Sequence, residues 1–245
     1  MDITNSCSVG EIAATFPNTI SVFEQHQIDY CCNGDQTITE AMVEQNISVD
    51  ILINQLNQAA KKQQPVDNSD WTKSSLRELI YHILGTHHSY LIKELPYLRQ
   101  TLSKVMVVHD KDYPELLGSL KQVFDVLEVE LMSHMMKEER ILFPLVQDME
   151  IAKSENKPSP EFSCGSVDNP IRVMQYEHDN AGNALAKIRH ITDNYNPPAN
   201  TCNTFRALFC HLYELEKNLH QHIHLENNIL FPRAIALERS LLCQS

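Results

Sequence analysis

The segments His134 to Pro144 and His222 to Pro232 carry one pattern, His-x3-Glu-x2-Ile-Leu-Phe-Pro. Residues four apart on a helix share a face, so His134 with Glu138, and His222 with Glu226, each present an imidazole and a carboxylate to the same place. The two copies start 88 residues apart (134 to 222), a helix-pair spacing that suggests pseudo-twofold character. An imidazole and a carboxylate on one face suit an ion pair, proton transfer or a metal ion. The deciding question is whether they face solvent or a core.

The flanking residues answer it. Apolar positions alternating by three and four mark the inward stripe of a bundle helix. Around the first copy the stripe is Leu117, Leu120, Phe124, Leu127, Leu131, His134, Glu138, Ile141 and Leu145. Around the second it is Phe205, Leu208, Leu212, Leu215, Leu219, His222, Glu226 and Ile229. Two further stripes carry one histidine each: Ile171, Met174, His178, Ala181, Leu185 and Ile188, and Leu84, His88, Leu91, Leu95, Leu98, Leu102 and Val105. His87 competes with His88, but only His88 continues into that leucine stripe. His224 lies about 200° around the helix from His222 and is read as a non-ligand.

Four helical blocks carry these stripes, roughly 72–107, 114–150, 169–193 and 201–241. Ser69, Asp70 and Thr72 are candidate caps for the first. Breaks fall near His109 to Pro114, from Ala152 to Pro170, and at Asn194 to Asn200 with its Pro197-Pro198 pair. Gln63 to Asp70, with Pro65, reads as a linker after short helices between Cys7 and Ala60. The expected architecture is all-α: a small helical domain over 1–64, then a four-helix bundle over 70–241.

Inside such a bundle the stripes place His88, His134, Glu138, His178, His222 and Glu226. Buried unpaired polar groups cost about 1–3 kcal/mol each, and ionised carboxylates more. A domain has only about 5–15 kcal/mol of net stability. Two intrahelical His–Glu ion pairs plus two hydrogen-bonded core histidines are the alternative, disfavoured because the six groups lie on four helices and the His–Glu pair is duplicated in sequence. A shared metal satisfies all six. Four imidazoles and two carboxylates exceed one tetrahedral zinc and suit two ions bridged by both carboxylates. The nitrogen and oxygen donors fit iron or manganese. The Glu-x-x-His spacing of ferritin-like di-iron bundles is a different one.

Composition narrows the partners. The 245 residues hold 20 Lys plus Arg against 32 Asp plus Glu, a net charge of −12, which argues against nucleic acid or an anionic membrane as main partner. No apolar run reaches the ~18 residues of a spanning helix, and no leader pattern is visible at Met1. Seven cysteines, an odd number, fit a reducing, cytoplasmic compartment. Cys31 and Cys32 are adjacent, which strains a mutual disulfide and favours thiol exchange or metal capture. Cys7, Cys164, Cys202, Cys210 and Cys243 show no ligand spacing. Glu139 and Glu177 adjoin ligand positions and are candidate outer groups that steer ions or protons.

His134 through Pro144, Tyr176-Glu177-His178-Asp179, and His222 to Pro232 resemble the hemerythrin-like di-iron domain of the repair-of-iron-centres family. Asp29-Tyr30-Cys31-Cys32-Asn33-Gly34 resembles the vicinal-cysteine motif of the small domain preceding it. The resemblance implies two iron ions per chain in an oxo- and carboxylate-bridged centre. Its ligands would be His88, His134, Glu138, His178, His222 and Glu226, with Glu138 and Glu226 bridging. It implies repair of iron-sulfur clusters damaged by nitrosative and oxidative stress, with damaged or apo iron-sulfur proteins as partners. Cys31 and Cys32 would act as a thiol relay. Iron donation is the leading reading. A di-iron enzyme reducing nitric oxide or peroxide, or a diatomic-gas sensor, are the alternatives. Oligomeric state is left open, with a homodimer through the small domain as one option.

Overall fold

The computed structural model describes residues 3–43, 47–61, 70–158, 160 and 165–243. Among them the order is α1 (Val9–Thr15), a 3-10 turn (Pro17–Thr19), α2 (Ile20–Gln25), α3 (Ile38–Ala41), α4 (Val49–Ala60), α5 (Leu76–Ile83), α6 (Ser89–His109), α7 (Pro114–Lys137), α8 (Phe143–Ser154), α9 (Asp168–Ile191), α10 (Asn203–Leu225) and α11 (Phe231–Leu242). No strand occurs among the described residues, only an isolated bridge between Ser8 and Thr37. The fold is all-α, a four-helix bundle preceded by a small helical region. Most of the linker read at Gln63 to Asp70 lies outside the described residues, as do Ser69 and Cys164.

The chain divides into two compact units. One comprises Tyr81–Asp148 and Glu161–Leu219. Here α6, α7, α9 and α10 close on one core, with Leu91, Leu95, Leu98 and Leu102 meeting Leu120, Phe124 and Leu127, then Leu185, Ile188, Leu208, Leu212 and Leu215. Each fully buried leucine contributes roughly 1.5–3 kcal/mol. Pro114 opens α7, where a proline's fixed φ suits the first turn and its missing N–H costs nothing.

The other unit comprises Met1–Ile80, Met149–Pro160 and His220–Ser245. Its core joins Val9, Ile12, Phe23, Tyr30, Ile38, Leu52 and Leu56 to Ile223 of α10. Helix α3 starts at a capping box in which Thr37 accepts from the Glu40 N–H and the Glu40 carboxylate accepts from the Thr37 N–H. Helix α5 does the same with Ser75 and Glu78. Its cap is therefore Ser75, and neither Asp70 nor Thr72. The Glu150 carboxylate accepts from the N–H groups of Leu76 and Arg77 at 2.7 and 3.0 Å, placing negative charge at the positive end of α5.

The long helical stretches are not regular. Each of three contains one widened π turn: Leu84–His88, Glu138–Leu142 and Glu226–Leu230. The N–H groups of Ser89, Phe143 and Phe231 reach back five residues, to the carbonyls of Leu84, Glu138 and Glu226. Pro144 and Pro232 follow two of these turns, and a proline ring clashes with the carbonyl four residues earlier unless that turn opens. The helix runs on beyond each proline.

A π turn inserts a residue and rotates the rest of the helix by about 100°. The straight-helix stripe through Ile141 and Leu145 is therefore corrected. Ile141 is 54% exposed, while Leu142, Phe143, Val146 and Met149 are buried. Leu84 is likewise only half-buried, and Ile80 and Ile83 are inside. We expect Leu142→Ala to cost about 2–5 kcal/mol and Ile141→Ala under about 1 kcal/mol. Denaturant unfolding would read both, and the reverse order would restore the straight-helix register.

Candidate metal centre

The π turns carry chemistry. His88 closes the first, and Glu138 and Glu226 open the other two. All three side chains are buried. Such turns are common at functional sites because the extra residue re-aims a side chain that a regular helix would direct elsewhere.

In the unit containing α6, α7 and α9, four predicted residues converge. The Glu138 carboxylate is 0% exposed, with Oε2 at 3.3 Å from His88 Nε2 and Oε1 at 3.3 Å from His134 Nε2. His134 Nε2 and His178 Nε2 are 3.1 Å apart. Two nitrogens bound about 2.1 Å from one ion at a right angle stand about 3.0 Å apart, so this spacing fits a shared cation. The far sides of the rings are held by carboxylates. Glu139 Oε1 lies 2.8 Å from His88 Nδ1, and Glu177 Oε2 lies 2.9 Å from His134 Nδ1. A carboxylate behind an imidazole fixes the tautomer with the other nitrogen aimed inward. Burial opposes ionisation of Glu177, but its hydrogen bonds to Lys137 and His134 hold its carboxyl below the ordinary value.

In the other unit, His222 Nε2 lies 3.1 Å from Glu226 Oε1, and both residues are buried. Donors of this kind, nitrogen and carboxylate oxygen without sulfur, suit a divalent or trivalent first-row metal. The structure therefore contains buried His/Glu sites that could hold a metal.

His87, the competitor of His88, is also buried, but its Nδ1 lies 3.2 Å from Asn218 Oδ1 and its ring meets His82 edge-on. His224 is buried on a different face, as its helical angle requires. Burial pushes it down to about 4, against a hydrogen bond with the Tyr30 backbone. Asn228 Nδ2 stands 2.9 Å from His224 Nδ1 and donates to the Tyr30 carbonyl at 2.9 Å, while Asn227 Nδ2 donates to the Cys31 carbonyl at 3.0 Å. The π turn that begins with Glu226 thus continues into two amides that grip the cysteine loop. Sequence reading missed these asparagines. The signal available was only their difference from Glu139 and Arg140 in the other copy.

Cys31 is buried and Cys32 half-buried, with sulfurs 3.8 Å apart. Cys202, which shows no ligand spacing, is exposed just before α10, where the Phe205 N–H and His109 lower its thiol to about 7.

Fold and side chains define a hemerythrin-type cation-binding bundle. A family profile described as "Hemerythrin HHE cation binding domain" matches residues 79–234. A second, described as "Domain of Unknown function (DUF542)", matches residues 5–60. The chain is 39% identical over 232 residues to the iron-sulfur cluster repair protein YtfE of Cronobacter sakazakii and 39% over 231 residues to that of Enterobacter sp. strain 638. Identity to the Escherichia coli O81 protein of that name is 38% over 231 residues. Each match covers 94% of this chain and 97% of the relative. The chain belongs to this family of iron-sulfur cluster repair proteins.

The clamp around Asn228 yields a test. A Cβ on Gly34 would meet Asn228 Oδ1 at 2.2 Å, and one on Gly10 would meet it at 2.5 Å. Asn228→Ala leaves the Tyr30 carbonyl short of a donor, and we expect a loss of about 1–3 kcal/mol. Gly34→Ala should cost less in the Asn228→Ala background than alone, because the clashing amide is gone. Strict additivity in a thermal-unfolding cycle would refute this packing.

Proposed function

We propose that this protein repairs iron-sulfur clusters damaged by nitrosative and oxidative stress by donating iron from a dinuclear centre held by His88, His134, Glu138, His178, His222 and Glu226. One observation carries the reading. The fully buried Glu138 carboxylate has one oxygen turned to His88 and the other to His134, as a carboxylate shared between two ions would. The second copy of the motif presents His222 and Glu226 in the same buried pairing. The relatives' name, iron-sulfur cluster repair protein, points to the same process.

The donor set suits iron that must be kept and then released. Hard carboxylate oxygens favour ferric over ferrous iron, so reduction loosens the hold of Glu138 and Glu226 on their cargo. Glu139 and Glu177 hold the His88 and His134 rings in place through cycles of loading and release. The protein has no helix among its described residues long and apolar enough to cross a membrane, and we place it in the cytoplasm, where client clusters are made and reducing equivalents are available.

Glu138→Leu and Glu226→Leu should each lower iron content measured by elemental analysis, while helical circular dichroism is retained. Full iron content in either variant would remove the bridging role. Glu177→Gln, which leaves the ligand in place, should weaken iron binding about 10–100-fold. For the activity, the reduced, iron-loaded protein would be mixed anaerobically with an enzyme whose iron-sulfur cluster has been nitrosylated. Recovered client activity matched by loss of iron from the donor is expected. Retained iron with catalytic consumption of nitric oxide would overturn donation in favour of a reductase.

A further inference from the structure

We propose that Asp29, Cys31 and Cys32 form a second cation site, for a thiophilic divalent metal such as Fe(II) or Zn(II), with one coordination position left open to an incoming ligand. It is separate from the histidine–glutamate set and shares no residue with it.

The loop is shaped for this. Adjacent residues of an extended chain point to opposite sides, yet here both sulfurs lie within 4.8 Å of the same carboxylate. The turn that achieves it is built on Asp29, whose Oδ1 accepts from the N–H groups of Cys31 and Cys32 at 3.0 and 2.9 Å. Asn33 Nδ2 donates to Oδ2 at 2.7 Å. From behind, Asn227 and Asn228 hold the carbonyls of Cys31 and Tyr30, and Gly10 and Gly34 leave room for the Asn228 amide. The loop is therefore fixed from two directions before any cation arrives.

The distances suit a metal rather than a disulfide. Two thiolates bound about 2.3 Å from one tetrahedral ion stand about 3.8 Å apart, and the Cys31 and Cys32 sulfurs are 3.8 Å apart. Disulfide sulfurs would be about 2.05 Å apart. Asp29 Oδ1 lies 3.3 Å from Cys31 Sγ, and all three ligand atoms lie within 4.8 Å of one another. The Cys31 S–H donates to that oxygen, so a cation entering between them takes the place of the proton.

The hydrogen bond with Cys32 and burial push the Cys31 thiol well above its ordinary value. Burial also works against ionised Asp29, but the N–H of Cys32, the Asn33 amide and the N–H of Cys31 hold its carboxyl below the usual range. A thiophilic M2+ displaces one proton from each cysteine to solvent and binds as the dithiolate. Three protein ligands leave the fourth tetrahedral position free, the arrangement of sites that exchange a ligand rather than close around the ion. Asp29 is exposed and Cys32 half-buried, so entry is from the solvent side.

The test titrates the reduced, full-length apo protein with Co(II) under argon. A thiolate-to-cobalt charge-transfer band in the near ultraviolet is expected, lost in Cys31→Ser and in Cys32→Ser and weakened about tenfold or more in affinity in Asp29→Asn. Cobalt held by histidine and carboxylate gives no such band, so the two sites are read apart. Iron content at the histidine–glutamate set should be unchanged in the cysteine variants, and its loss from Glu138→Leu should leave the thiolate band in place. Absence of the band in the wild type, or its persistence in both cysteine variants, overturns the proposal. A second measurement needs no variant: Zn(II) should slow alkylation of both Cys31 and Cys32, followed by mass spectrometry, by about tenfold or more. Equal rates with and without Zn(II) overturn it as well.

Discussion

The carboxylates of Glu138 and Glu226 are fully buried, and an ionised carboxylate taken out of water is tolerated only where cations or strong donors surround it. Much of the local architecture answers that constraint. Glu138 has an imidazole nitrogen at 3.3 Å on either side, and Glu226 has one at 3.1 Å. His88 and His134 are in turn held by Glu139 and Glu177. A chain of imidazole and carboxylate groups in alternation runs from the bundle interior outward, an arrangement that could hold a metal at its inner end.

The backbone bends to the same demand. A regular helix can supply a His-x3-Glu face, but it cannot also keep the next apolar stripe aimed at the core when a proline stands six residues after the glutamate. The π turns at Glu138–Leu142 and Glu226–Leu230 meet both requirements. Their extra residue gives the proline ring room and hands the core over from one set of apolar residues to the next. The two copies then diverge. Ile141 turns outward whereas Ile229 stays buried at 4% exposure, although both occupy the same place in the repeated pattern.

Divergence also marks where the N-terminal region is joined to the helix. After Glu138 come Glu139 and Arg140, with Glu139 directed to His88. After Glu226 come Asn227 and Asn228, directed to the cysteine loop. A few covalent bonds separate a proposed bridging carboxylate from the amides that hold Tyr30 and Cys31. Tyr30 itself is packed against Phe23 and against the His224 ring, so the loop, the π turn and the small core share one set of contacts.

Much of this is legible in the sequence. Alternation by three and four puts His88, His134, Glu138, His178, His222 and Glu226 on inward faces, because burying an apolar stripe is what makes a helix pack, and polar residues in such a stripe are conspicuous. The spacing also prefers His88 over His87, and the structure directs His88 toward Glu138. Other features cannot be read that way. The π turns depend on where a carbonyl finds its donor, so a straight-helix period puts Ile141 and Leu145 inward when Leu142 and Val146 are the buried residues. The cap of α5 is Ser75 rather than the earlier polar residues, since the helix starts only where its first turn meets Glu150. The roles of Asn227, Asn228, Gly10 and Gly34 arise from contacts across nearly two hundred residues of chain, and the same is true of the fixed cysteine loop. Residue type and period, which are local properties, determined which groups would be buried. Which groups meet, and at what distance, was decided only when distant segments packed.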